Sequence, residues 1–345
     1  MDLPCCPHIQ AALAERCRHP TFGYTLVPPE LREAAAAWLA EQHRWRLQPE
    51  ALVFAASAVG AFVSCLRAFT RPGDAVVLMT PLYPPLQEAV EREGRRLVRH
   101  ALVERDEAYG FDLGALSVQI QDCGARVLVM CNPHNPGGRV WQRPELEGVV
   151  AVCREHNVLI VSDEVWMDWA LWGQRHCPVA TAGAAPHEVV TLFGPGKSWN
   201  LAGLQSAFVA IEDEGLRERY LQVVRHTFGD EGGTFAMVGA LAAYRLGGPW
   251  LARAKAYVEE NMREVEAVLA AEAPEVRPWR PQATFLMWLD FGGLGLRPAE
   301  TRRLLLDAGV VLKPGEAFGA AGARFQRLNV ACARDTLRAA LRRVA

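Results

Sequence analysis

Lysine is nearly absent from this sequence. Of 37 basic residues, only Lys197, Lys255 and Lys313 are lysine, and the rest are arginine. The basic residues are scattered and the formal net charge is −2, so the chain has neither a polybasic arm for a membrane surface nor the basic patch of a nucleic-acid binder. No apolar run approaches the ~20 residues needed to span a bilayer. The opening Met1-Asp2-Leu3-Pro4-Cys5-Cys6-Pro7 lacks a basic segment followed by an apolar one. No secretory leader is therefore expected, and a cytoplasmic location is. The nine cysteines include no C-x-x-C pair, and Cys65, Cys131 and Cys153 sit in apolar runs. They read as buried free thiols rather than as disulfides or metal ligands, and adjacent Cys5 and Cys6 could bridge only with strain. Internal repeats and low-complexity tracts are also missing.

What is present is apolar and ordered. Half of the 345 residues are hydrophobic and 22% are charged, enough for a large core. Near-continuous apolar runs occur at Leu52–Ala55, Ala75–Met79, Arg126–Met130, Val158–Val161, Val189–Phe193 and Ala207–Ile211. Strands buried on both faces have this signature, in contrast to the strict alternation of a half-exposed sheet. Helical patterns fall between them at Ser57–Phe69, Leu82–Glu93 and Pro144–Glu155, so the centre reads as an α/β layer domain with a mostly parallel sheet. From Pro249 the pattern changes to a long helix reaching Glu272, then strands at Thr284–Leu289 and Phe325–Asn329 with helices at Pro298–Ala308 and Arg334–Val344. The expected division is a large domain over 45–248 and a small α+β domain over 249–345. Residues 1–44, with a helix at Pro7–Arg18 and another after Pro28-Pro29, are expected to pack with the small domain.

The polar residues that interrupt this pattern fall repeatedly at strand ends, where open α/β sheets bind ligands. Ser57-Ala58-Val59 opens a helix, whose first N–H groups and dipole suit a phosphate. Tyr83 can stack on a flat heteroaromatic ring. Asn135 can donate to a phenolate oxygen. Asp163, buried after a strand, can keep a pyridine nitrogen protonated. Lys197, in the run Gly194-Pro195-Gly196-Lys197-Ser198, can form a Schiff base with an aldehyde.

The ordered set Phe22-Gly23-Tyr24-Thr25, Thr80-Pro81-Leu82-Tyr83-Pro84-Pro85, Asn132-Pro133-His134-Asn135-Pro136-Gly137-Gly138, Ser162-Asp163-Glu164-Val165-Trp166, Lys197-Ser198-Trp199-Asn200-Leu201-Ala202-Gly203-Leu204-Gln205 and Arg327-Leu328-Asn329 resembles one family along the whole chain. It is that of fold-type I pyridoxal 5′-phosphate (PLP) enzymes in the class I/II aminotransferase superfamily, and within it the MalY/PatB group of cystathionine β-lyase-like C–S lyases. The resemblance implies the aspartate aminotransferase-like fold, with a seven-stranded, mostly parallel sheet in the large domain. It implies that Arg327 grips a substrate α-carboxylate, and that Tyr24 reaches the cofactor phosphate of a second subunit in a homodimer with shared active sites. The activity it implies is β-elimination from a cystathionine-like or S-substituted L-cysteine. Amino-group transfer, oxidative or decarboxylative deamination of an S-cysteine conjugate, and a PLP-binding regulator are the alternatives. Neither a metal nor a nucleic acid or membrane partner is expected.

The chain departs from the family at several points. Gly194 and Gly196 stand where hydroxylated residues usually serve the phosphate, as cofactor-binding positions left with backbone groups only. Trp166 stands where Tyr or His lies near the phenolate oxygen, and it reads equally as a packed core aromatic. Asp230-Glu231 replace small hydroxylated or Pro residues in a loop near the partner's site, where they would select a substrate with a distal cation. Relatives carry a longer arm before Met1. His134 and His226 read as loop histidines, Arg139 as structural, and Asp168 beside Trp169 and Trp172 as a solvated acid.

Overall fold

The computed structural model describes residues 1–227 and 232–344. The helices are α1 (Pro7–Arg18), α2 (Pro29–His43), α3 (Ala58–Phe69), α4 (Pro84–Arg92), α5 (Leu113–Cys123), α6 (Arg143–Glu155), the single turn α7 (Pro195–Ser198), α8 (Glu214–Thr227), α9 (Thr234–Leu246), α10 (Gly248–Glu272), α11 (Pro298–Asp307) and α12 (Arg334–Val344). The large sheet is built from β1 (Leu52–Ala55), β2 (Ala75–Thr80) and β3 (Arg96–Ala101). After a small ribbon of β4 (Val103–Arg105) and β5 (Ala108–Gly110), it continues with β6 (Val127–Cys131), β7 (Leu159–Asp163), β8 (Val189–Phe193) and β9 (Ala207–Ala210). Its order is β1-β9-β8-β7-β6-β2-β3. All neighbours are parallel except that β9 runs against both β8 and β1. The expected seven-stranded, mostly parallel sheet is therefore present.

Side chains alternate between the two faces of this sheet, so one strand feeds two cores. Val76 and Leu78 of β2 join the cluster formed with Phe62, Leu66, Leu86, Tyr220 and Val224, which lie on α3, α4 and α8. Ala75, Val77 and Met79 join the opposite cluster with Leu116, Ile120, Leu146 and Val150 of α5 and α6. Strand β3 is the seventh member, and no apolar run announced it. It is an edge strand whose Arg96 and Arg99 reach solvent. Charged edge positions of this kind discourage pairing with another chain.

The C-terminal part carries a four-stranded antiparallel sheet, β10 (Arg277–Trp279), β11 (Leu286–Asp290), β13 (Phe325–Asn329) and β12 (Lys313–Pro314), in that order across the sheet. Strand β11 begins two residues later than expected because Thr284 adopts φ 75, which breaks the extended run. Helices α1 and α2 both lie against α9. The start of the chain reaches both parts, since the Asp2 amide donates to Ala331 O (2.8 Å) and Asn200 Nδ2 donates to Leu3 O (2.8 Å). All nine cysteines are free, and Cys65, Cys131 and Cys153 are buried, as the sequence indicates. No helix among the described residues is long and apolar enough to cross a membrane.

Candidate active site

Five strands that run in the same direction (β1, β2, β6, β7 and β8) release the chain at one edge of the sheet, so the residues that follow them meet. Ser57 caps α3 through its side chain, which accepts from the Gly60 amide at 3.0 Å, a contact that contributes about 1 kcal/mol. Ala58 and Val59 are the first residues of that helix, and their N–H groups have no intrahelical partner. Tyr83 precedes α4, which starts at Pro84 rather than at Leu82. His134 fastens two of these loops together: its Nε2 lies 2.8 Å from Pro81 O, a contact that only an N–H can make. The ring is buried, and desolvation lowers its pKa to about 4, so this loop histidine is a neutral structural group.

One cavity of about 360 Å³ is lined by Ser57, Ala58, Val59, Tyr83, Asn135, Asp163, Trp166, Gly194, Gly196, Lys197 and Arg327 together. Every expected cofactor residue but Tyr24 therefore borders one space. Asp163 ends β7 and is buried, and the one hydrogen bond to its carboxylate among the described residues comes from the Val165 amide at 3.3 Å. Burial raises its pKa to about 6, against the Val165 bond and the charge of Lys197. Lys197 is half-buried on the turn α7, and desolvation lowers its pKa, helped by Arg327 and opposed by Asp163. Its Nζ lies 5.6 Å from the centre of the Trp166 ring, and its carbonyl accepts from Trp169 Nε1 at 2.8 Å. Arg327 extends from β13, rests on Phe318 at 4.8 Å and donates to Asn135 Oδ1 at 2.8 Å. Desolvation lowers its pKa to about 10. The result is a pocket that brings together a buried acid, a primary amine and an arginine fork.

Trp166 has two surroundings. It borders the cavity and is also buried edge-on against Phe285, with ring centres 4.7 Å apart. Asp168 corrects the sequence reading, because it is buried and not solvated. Its carboxylate accepts from Trp38 Nε1 at 2.8 Å and from Ser198 Oγ, and lies 2.7 Å from His43 Nε2. Burial pushes this carboxyl up, but the bonds and charge of His43 with those of Ser198 and Trp38 outweigh it and hold the pKa below its ordinary value. Arg139 is structural, as read: it pairs with Glu145 through two bonds of 2.9 and 3.0 Å and with Gln282.

Tyr24 is not in this cavity. Its side chain is fully exposed, and those of Phe22 and Leu26 are largely so, on a stretch without regular structure between α1 and α2. Asp230 and Glu231 lie outside the described residues. Ser206, Phe285 and Leu286 border the cavity without having been singled out in the sequence. Phe285 and Leu286 were legible only as strand residues, and nothing in the local sequence separates Ser206 from an ordinary loop serine.

Residues 3–344 match the family model described as aminotransferase class I and II. The chain is 38% identical to the Bacillus subtilis protein named cystathionine beta-lyase PatB, over 100% of this chain and 89% of that one. It is 30% identical to protein MalY of Escherichia coli, over 98% of this chain and 87% of that one. Among solved structures it is similar to cystalysin from Treponema denticola, which contains a pyridoxal 5′-phosphate cofactor. That match has a TM-score of 0.97 and 26% identity, covering 100% of this chain and 88% of the other.

Proposed function

The chain belongs to the class I and II aminotransferase family, and on that premise we propose that it is a PLP-dependent carbon–sulfur β-lyase acting on an S-substituted L-cysteine of the cystathionine type. The single observation that carries the proposal is the shared cavity of Lys197, Asp163, Asn135 and Arg327. The identity to PatB along the whole chain supports the lyase branch. The donor set fits PLP. Asp163 is a buried carboxylate with one weak hydrogen bond, which leaves it able to accept from a protonated ring nitrogen. The amide oxygen of Asn135 is taken by Arg327, which leaves its NH₂ group to donate to the phenolate oxygen. The amino end of α3 suits the phosphate. Tyr83 and Trp166 flank the ring site.

Bound there, PLP supplies an aldehyde to hold the substrate amine and a ring that takes up the electron pair left at Cα. Lys197 would hold that aldehyde through its Nζ. When free, its Nζ would take the Cα proton as general base, and the desolvation that lowers its pKa favours the neutral form this role needs. Arg327 holds the α-carboxylate through its planar fork and so sets which Cα bond stands ready to break. Asp163 holds the proton on the ring nitrogen. The apolar wall of Trp166, Phe285 and Leu286 keeps water from the reacting carbon.

The division proposed is a large domain over 45–248 and a small one over 249–345 with 1–44. The proposed assembly is a homodimer in the cytoplasm. The exposed aromatic arm of Phe22 and Tyr24 supports the dimer, with Tyr24 reaching the partner's phosphate site. The nine free thiols suit a reducing compartment. The deciding assay supplies L-cystathionine or an S-alkyl cysteine to the holoenzyme. Release of pyruvate, abolished in Lys197→Ala together with the cofactor–lysine absorbance band, is the expected result. Amino transfer to an α-keto acid without pyruvate would make the chain an aminotransferase, and cofactor binding without turnover would make it a regulator.

A further inference from the structure

We propose that Ser206 is a phosphate ligand of the bound cofactor, supplying from β9's side the hydroxyl that Gly194 and Gly196 lack. The inference rests on the PLP reading above. Ser206 is buried, and its Oγ has no hydrogen-bond partner among the described residues. Among the described residues with a buried, unpartnered side-chain atom, Ser206 is the one that lines the cavity of Lys197 and Asp163. An unpaired buried hydroxyl disfavours the fold unless a ligand or ion completes it.

Strand register places this hydroxyl at the phosphate end. Ala207 pairs with Ala55 across β9 and β1, and Phe208 pairs with Phe193 across β9 and β8. One residue further out, Ser206 falls beside Ala56, where the chain enters α3, and beside the Gly194–Pro195 step that leads to Lys197. It therefore lies between the free amides of Ala58 and Val59 on one side and the lysine loop on the other.

The same approach explains the glycine. A Cβ on residue 194 would lie 2.8 Å from Ala207 Cα and 3.0 Å from Ser206 O. The backbone of 206–207 occupies the room that a side chain at 194 needs, so a hydroxyl cannot be offered from residue 194 in this arrangement. Residue 206, on the neighbouring segment, offers one instead. Gly196 differs, since a Cβ there would make only ordinary contact, 3.5 Å from Ala202 Cα.

The test compares two ligands that differ by the phosphate. Apoenzyme of the wild type, Ser206→Ala and Ser206→Thr is titrated with PLP and with pyridoxal, following the quenching of tryptophan fluorescence. Ser206→Ala should bind PLP about ten-fold more weakly, as expected for loss of a hydrogen bond to a charged group, and bind pyridoxal unchanged. Inorganic phosphate should compete with PLP less well in Ser206→Ala than in the wild type, and Ser206→Thr should recover most of the loss. Equal losses for PLP and pyridoxal, or no loss for PLP, would overturn the assignment while leaving the cofactor reading intact. A wild-type protein that binds neither ligand would overturn both.

Discussion

Arg327 Nη1 donates to Asn135 Oδ1 at 2.8 Å, joining two residues 192 positions apart in the chain. One lies on the small antiparallel sheet and the other on the loop that follows β6. The bond does two things at once: it turns the Asn135 NH₂ group away from Arg327, and it fixes one edge of the guanidinium while leaving the rest of the fork for an anion. In the proposed function the two residues act as a single unit that links the grip on a carboxylate to the donor at the ring.

Arg327→Lys keeps the charge and loses the fork. An ammonium cannot bond a carboxylate in a planar, two-point fashion while also holding Asn135. The kcat/KM for L-cystathionine should fall by about 30- to 150-fold, the equivalent of roughly 2–3 kcal/mol for a charged hydrogen-bond contact. Asn135→Ala should weaken PLP binding and also cost catalysis. The double variant should lose less than the product of the two single losses, because the residues act together. Steady-state kinetics of the four proteins read this directly.

Asp163 sets a pH dependence on the cofactor-free protein. Burial raises its pKa from 3.8 to about 6, so the folded chain holds this proton more firmly than the unfolded chain does. The fold gains from that below pH 4 and loses the gain as pH rises from about 4 to 6. Above pH 6 the buried charge costs the apoenzyme roughly 3 kcal/mol, because holding a proton across each further pH unit is worth about 1.36 kcal/mol. Asn has nearly the shape of the neutral acid. Asp163→Asn apoenzyme should therefore match the wild type in urea unfolding near pH 4 and exceed it by up to about 3 kcal/mol near pH 8. The same variant should lose most lyase activity. A stability difference that is flat with pH would refute the account.

Much of this arrangement was legible in the sequence, for identifiable reasons. Strands β1, β2, β6, β8 and β9 are buried along their whole length, and uninterrupted apolar runs betray strands of that kind. Strand β3 escaped because an edge strand with Arg96 and Arg99 in solvent carries no such run. Lys197 stood out because lysine is so rare here. Asp168 was misread because its environment is made by distant residues: Trp38 and His43 lie 130 and 125 positions away, and Ser198 lies 30 away. A sequence window around Asp168 contains none of them. Ser206 escaped for a related reason, since its place beside Gly194 is a matter of strand register and not of motif.

The two glycines of the lysine loop should respond differently to the same change. A methyl group at 194 meets backbone on two sides, at 2.8 and 3.0 Å, and backbone cannot yield as a flexible side chain can. Gly194→Ala should cost about 1–3 kcal/mol of stability, as overpacking in a dense interior does, and should also disturb the α7 turn that carries Lys197. Gly196→Ala, with its nearest neighbour at 3.5 Å, should stay within about 1 kcal/mol of the wild type. Chemical denaturation of both apoenzymes, together with PLP titration, separates the effects. Gly194→Ala should lose PLP affinity as well as stability.

Asp168 offers the sharpest test of a buried acid that does not touch the cavity. Ser198, which follows Lys197 directly, donates to it, and His43 and Trp38 engage it from α2. Its pKa is lowered, so its contribution to stability is present above about pH 4 and is lost as pH falls through the lowered value. Asp168→Ala removes the acceptor and leaves Trp38 Nε1 and Ser198 Oγ, with His43 beside them, unpaired in the interior. Breaking a buried charged network in this way costs about 3–5 kcal/mol. Asp168→Asn keeps an acceptor oxygen but not the charge, and should cost less. Both variants should unfold at lower urea than the wild type near pH 7, with the gap narrowing as pH falls below about 4. Because Ser198 is tied to the acid while Lys197 is its neighbour, Asp168→Asn should also shift the pH at which the cofactor–lysine absorbance band changes. A purely structural role would lower stability in both variants and leave that absorbance titration where it is in the wild type.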